Sequence, residues 1–479
     1  MFQIAVKKKT MVQLGAFAAI TSILLLIDAM RIDVDWLLGI LACMGFFRLL
    51  YNYPNFVIRY IMIFFMAIGN LVGVMICEHS KLWLTEMGIT SFYCGSFPLL
   101  LAGWFLLIVT VWMLDVRYNQ GKDWTNRPII NLSLAGHPAS LKALAIVFLA
   151  FISVILFLSV APHPAFLENM DRFTFAQKYL TDNWKRAAGW VFSGSPILIA
   201  ALFNYKRESK SLILLASIGL TFFCLYLFYI GEKFGGFWSL IVNLCIVFSI
   251  YGQKMDVKRL RQRVFSLGKI FLILFMVLVV HLMITHSWGP SQVFTNYLPQ
   301  RTAQQGQLWW RTYSIDRNHD TRFNELSDET RTYFQFSDKN EKDYNHAIYK
   351  IMRFTVPADI FNRRINNGNG SRYSTSTFAS IFYYFKRIGV IIYPIIAGLV
   401  FWLFMKMFLY SVSHFYVLEM ILSAKILGVS YGALAMSEFN LLFQFKPMIW
   451  IGVFCGLVLF RKYLARARCK HWSAYESRK

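Results

Sequence analysis

The chain has 479 residues, 57% hydrophobic and only 15% charged, against about 25% charged in a soluble domain. Repeated apolar runs long enough to cross a bilayer exclude both a soluble globular protein and a disordered one. The net charge of +24 calls for no nucleic acid, because the positive residues gather in short connections between apolar runs, as the positive-inside rule requires.

The expected fold class is all-α, a polytopic transmembrane helical bundle of about twelve spans with one large outward-facing loop domain. Stretches such as Phe271 to Val280 and Ile391 to Phe404 are continuously apolar, whereas a barrel strand alternates. In chain order the spans are expected near 11–30, 36–52, 56–76, 95–114, 142–161, 188–204, 211–230, 236–252, 268–286, 387–409, 413–432 and 447–461. Lys7 to Lys9, Arg117 with Lys122 and Arg127, Lys206 with Arg207 and Lys210, Lys254 to Lys269, and Arg461 to Lys470 then share one side. That side, with both termini, is expected to be cytoplasmic. The basic tail also suits anionic membrane lipid. No small-residue cleavage site follows the first apolar run, so it reads as an uncleaved anchor.

This divides the chain into residues 1–286 (spans one to nine), a loop over 287–386, and residues 387–479 (spans ten to twelve with a basic tail). Within the first part, Asp33 and Asp35 of IDVD form a carboxylate pair of the kind that holds a divalent cation with phosphates. Cys77 and Cys94 bracket one outward loop, where a disulfide and two unpaired thiols are both open readings. In IGEKFGGFWSL, Glu232 and Lys233 sit on a tight outward turn, either as functional groups near the hydrocarbon or as the polar cap of a hairpin. Glu438, Asn440 and Gln444 fall on another outward turn.

The loop over 287–386 carries thirteen Lys and Arg against nine Asp and Glu, an excess on the side where positive charge is usually sparse, which invites an anionic ligand. It opens with QRTAQQGQLWWR, Gln300 to Arg311. Here Gln304, Gln307, Trp309 and Trp310 are of the types that cover and hydrogen-bond a sugar, and Arg301 and Arg311 of the type that binds phosphate bidentately. The competing reading is an amphipathic helix at the membrane interface. Farther on, Tyr344, Ala347, Ile348, Ile351 and Phe354 fall at helical spacing before Pro357, as a helix packed on the bundle would have them. The asparagine and glycine run of RRINNGNGSRY predicts a turn flanked by Arg363, Arg364 and Arg372.

A dozen spans, a large arginine-rich outward loop late in the chain and a short glycine-bearing turn, GEKFGG, ahead of a span together resemble the Wzy-type polymerases of O-antigen and capsule repeat units. The resemblance implies a glycosyltransferase of the bacterial cytoplasmic (inner) membrane that joins polyprenyl-pyrophosphate-linked oligosaccharide repeat units on the outer face. Implied partners are those lipid-linked units, membrane lipid and a chain-length-regulating membrane protein. The transfer needs cations for the departing pyrophosphate and a base for the attacking hydroxyl. Candidates for the first are Arg301, Arg311, Arg353, Arg372 and Lys233, and for the second His319, His346 and Glu232. The scheme requires no metal or cofactor. Two rivals are a transferase using polyprenyl-monophosphate sugars, which would place its carboxylates at Asp33 and Asp35, and a flippase or transporter, for which internal repeats are expected.

Overall fold

The computed structural model describes residues 2–120, 210–231, 235–252, 289–327, 347–367, 377–414, 416–436 and 439–476, with scattered positions between 154 and 283. The protein is an all-α membrane protein. Among the described residues five helices are long and apolar enough to cross a bilayer, within 12–30, 61–79, 97–115, 379–413 and 417–436. They match five of the expected spans. Shorter apolar helices over Ser217–Tyr229 and Leu240–Ser249 fall where two more were expected, while the expected spans near 142–161, 188–204 and 268–286 lie almost wholly outside the described residues.

The chain separates into two compact units. The first holds 1–121, 256–402 and 430–441. It begins with α1 (Phe2–Met30), α2 (Asp35–Asn52), α3 (Pro54–Arg59) and α4 (Ile61–His79). The expected third span is therefore broken at Tyr60, beside a buried ion pair in which the Arg59 guanidinium lies 2.8 Å from Asp115. A hairpin of β1 (Trp83–Leu84) and β2 (Ile89–Thr90) follows, with Trp83 opposite Thr90. Gly88 turns it at φ +66°, a conformation that glycine adopts without penalty. Then comes α5 (Phe97–Gln120).

In the second unit (122–255, 403–429 and 442–479), α6 (Arg172–Tyr179), α7 (Lys210–Tyr229) and α8 (Gly235–Gly252) surround a core that includes Phe175, Phe223, Tyr226 and Leu240.

The opening of the long loop returns to the first unit as a helical hairpin, α9 (Leu298–Ala303) and α10 (Gln307–Asp316). It lies against the second half of α4. Asn70 Nδ2 donates to the Gln305 carbonyl at 2.7 Å, and Gly73 meets Gly306 backbone to backbone. This is close packing of small residues of the sort that holds helices together in a membrane, where the apolar surroundings provide little drive. Next are α11 (Ala347–Thr355) and α12 (Ala358–Asn367). As the spacing predicts, α11 buries Ile348 and Ile351 and ends before Pro357; Met352 is buried as well, and Phe354 is half-buried. The asparagines expected in a turn continue α12 as far as Asn367, and Gly368 to Arg372 lie outside the described residues.

The helix α13 (Ala379–Ser413) starts eight residues before the expected span and breaks at Lys386, φ 55° and ψ −145°. Its first turns therefore belong to the region expected as loop. The last helices are α14 (Val417–Met436) and α15 (Phe445–Glu476); within the second unit the buried Glu419 of α14 pairs with Arg461 of α15, whose guanidinium lies 4.0 Å from the Tyr416 ring centroid.

Candidate functional site

The end of α1, the start of α2, the end of α4, the start of α5 and the break in α13 meet at one end of the first unit, around the α9–α10 hairpin. Asp28, in the last turn of α1, is buried. Its carboxylate accepts from the Tyr313 hydroxyl at 2.6 Å and from Arg387 Nε at 2.6 Å. Its carbonyl accepts from Arg317 Nη2 at 2.8 Å. Asp316, also buried, is held by Arg322 Nη2 at 2.7 Å and by Lys386. Glu325 completes the group, with Lys350 Nζ at 2.6 Å and the Tyr383 hydroxyl at 3.1 Å. Burial raises the Glu325 pKa, but hydrogen bonds from Lys350 and Tyr383 and the nearby Arg322 outweigh it and hold the carboxyl below its usual value. Three carboxylates thus stand among five Lys and Arg side chains, leaving positive charge to spare.

One cation of the hairpin stands apart from these pairs. Arg311 is partly buried, and its hydrogen bond is a long one, Nε to the Thr355 carbonyl at 3.4 Å. Burial pushes its pKa down, and no carboxylate lies within ion-pair distance of it among the described residues. Buried charge without a counter-ion is costly, so it marks a place where an anion would be welcome.

Across the 91–96 loop, the buried Glu78 carboxylate accepts from the Ser96 amide at 2.8 Å, the Ser96 hydroxyl at 2.7 Å and the Gly95 amide at 3.1 Å. It also takes the Cys94 amide at 2.5 Å. This carboxylate closes the N-terminus of α5, where free amides and the helix dipole favour negative charge. Cys77 and Cys94 are free thiols, with Cys94 Sγ 3.3 Å from Glu78.

Beside Glu78, His79 Nε2 lies 3.2 Å from Asp35 Oδ2. Asp33, Asp35 and His79 each place one donor atom within 4.8 Å of the others. Burial, the Glu78 charge and Asp33 push the Asp35 pKa up to about 6, against the opposing pull of His79.

The residues singled out from sequence fare differently. Trp309 and Trp310 are buried, and their indoles donate to the carbonyls of Ser96 at 3.1 Å and Phe92 at 2.9 Å. Neither ring is free to cover a sugar or to lie at the membrane interface, because the hairpin uses both to seal against the 91–96 loop. Gln307 is likewise buried, its amide bound to Glu86. Arg301 is exposed, bonded to Gln304 at 3.1 Å and 5.3 Å over the Tyr297 ring. Arg353 is exposed on α11. His319 is 58% exposed, with Nδ1 3.6 Å from Asp316. Glu232, Lys233, His346 and Arg372 lie outside the described residues. Asp28, Glu78 and Asp316 were not singled out from sequence. The first two carry a readable signal, an acid inside the last turn of an apolar run, while Asp316 has none.

Residues 341–451 match DUF6418, a family of unknown function. No curated protein and no solved structure matches the chain.

Proposed function

We propose that this protein is a membrane glycosyltransferase that polymerises polyprenyl-pyrophosphate-linked oligosaccharide repeat units on the outer face of the bacterial cytoplasmic membrane. The observation that carries the reading is Arg311, a partly buried guanidinium with no counter-ion among the described residues, on a hairpin whose neighbours Arg317, Lys386 and Arg387 give an excess of positive charge. A pyrophosphate leaving group needs such an arrangement. In this scheme an acceptor hydroxyl attacks the anomeric carbon of the growing chain and the bond to pyrophosphate breaks. The electron pair leaves with the pyrophosphate, whose developing charge Arg311 stabilises. A base takes the hydroxyl proton, a role we assign to His319, whose exposed imidazole has Nδ1 3.6 Å from Asp316.

The experiment is a gel of surface polysaccharide from cells carrying Arg311→Ala or Arg311→Lys. Both variants should display single repeat units instead of a ladder, with lysine rescuing poorly because a point charge cannot form the two-pronged contact. A full ladder from Arg311→Ala would remove the basis of the reading. Loss of surface-displayed single units as well would favour a flippase, which acts before the units reach the outer face.

A further inference from the structure

The transfer scheme calls for no metal, yet three side chains at the same end of the first unit are arranged to hold one. We infer that Asp33, Asp35 and His79 form a binding site for a divalent transition-metal ion of the manganese or zinc kind.

The donors come from two elements that the fold brings together. Asp33 and Asp35 lie in the short α1–α2 connection and at the first residue of α2, with Arg31 in the left-handed region at φ 56° where the chain reverses. His79 is the last residue of α4. One donor atom from each lies within 4.8 Å of the other two, and the His79 Nε2 to Asp35 Oδ2 separation is 3.2 Å. Ligands about 2.1 Å from a metal and 90–110° apart are themselves about 3.0–3.4 Å apart, so this pair already spans one edge of a coordination shell. A movement of the exposed Asp33 side chain would complete a face.

A second observation points the same way and does not depend on the clustering. Asp35 is fully buried, and while one carboxylate oxygen meets His79, the other, Oδ1, has no hydrogen-bond partner among the described residues. A buried carboxylate oxygen left unsatisfied is expensive. Arg31, nearest in sequence, makes no ion pair with it among the described residues. Glu78 adds negative charge next door but is saturated by the amides of residues 94–96, so it shapes the field without competing as a ligand. The imidazole is steadied by two rings, Trp36 at 5.8 Å and Tyr93 at 5.7 Å between centroids, which holds a metal-binding histidine in orientation.

The donor set selects the ion. An imidazole with two carboxylates suits manganese or zinc better than calcium, which prefers six or more oxygens. Three protein ligands leave positions open on the side of the exposed Asp33, the pattern of a site that takes water or another oxygen ligand and not of a closed structural one.

The test uses the full-length protein purified in detergent and stripped with chelator. Manganese is added, and the free ion is followed by its electron paramagnetic resonance signal. One ion per chain should bind, and zinc should displace it. Asp33→Asn, which changes an exposed side chain, should weaken binding at least tenfold, and His79→Gln should abolish it, both with unaltered elution on size exclusion. Stoichiometric binding that survives both substitutions, or no binding by the native chain, overturns the site. The readout contains no sugar chemistry, so its outcome stands apart from that of the polymerase reading.

Discussion

Gly306 meets Gly73 so closely that a β-carbon on Gly306 would lie 2.4 Å from the Val74 amide nitrogen, and one on Gly73 would lie 2.6 Å from that of Gly306. Both obstacles are backbone, which cannot swing aside. Gly306→Ala and Gly73→Ala should therefore each lower stability by about 1–3 kcal/mol, seen as a lower melting temperature of the detergent-solubilised protein. Gly428→Ala, at a helical glycine with nothing within 4 Å among the described residues, should not. Equal melting temperatures for all three would show that the hairpin does not rest on α4.

The tryptophan pair gives a second prediction. Because Trp310 is wholly buried, with Phe92 at 4.9 Å between ring centroids, Trp310→Ala should cost about 3–5 kcal/mol and reduce the amount of folded protein in the membrane. A residue that merely stacked on sugar would leave the protein folded and raise KM instead. Fluorescence-detected size exclusion separates the two outcomes.

Arg311 should behave in the opposite sense. Arg311→Met roughly keeps the length of the side chain and removes a partly desolvated charge with no counter-ion among the described residues. The melting temperature should hold or rise while the polysaccharide ladder is lost, the usual trade between stability and a functional site. A fall in melting temperature together with a normal ladder would assign Arg311 a structural role.

For Glu78, the isosteric Glu78→Gln replaces one carboxylate oxygen by an amide that cannot accept the hydrogen bonds now made to it. The 94–96 turn should loosen, at a cost of about 1–3 kcal/mol, and Cys94 should react faster with a thiol reagent. An unchanged rate would mean that the turn holds without the carboxylate.

The orientation of this end is open to a direct measurement. Asn318 is exposed just beyond α10. In a chain otherwise free of cysteine, Asn318→Cys should react with a membrane-impermeant thiol reagent in intact cells whose outer membrane has been made permeable. Reaction only after lysis would place the basic cluster on the cytoplasmic face and end the polymerase proposal.

The helical membrane class was legible in the sequence, because a long apolar run can satisfy its backbone within a bilayer only by closing its own hydrogen bonds. Local spacing also announced α11, whose Ile348, Ile351 and Pro357 are read over a few turns. Tertiary structure decided what QRTAQQGQLWWR does. Composition made Trp309 and Trp310 available for sugar or for the interface, but Asn70 and Gly73, more than 200 residues earlier, draw the hairpin onto α4 and commit both indoles to carbonyls of the 91–96 loop. Still longer stretches, 285 and 359 residues, separate Asp28 from Tyr313 and Arg387. No local pattern encodes a pairing of that span, since sequence periodicity reports which face of an element is apolar and not which element comes to lie against it. Asp33 and Asp35 were visible as a pair, but His79 joined them only through the packing of α4 beside α2.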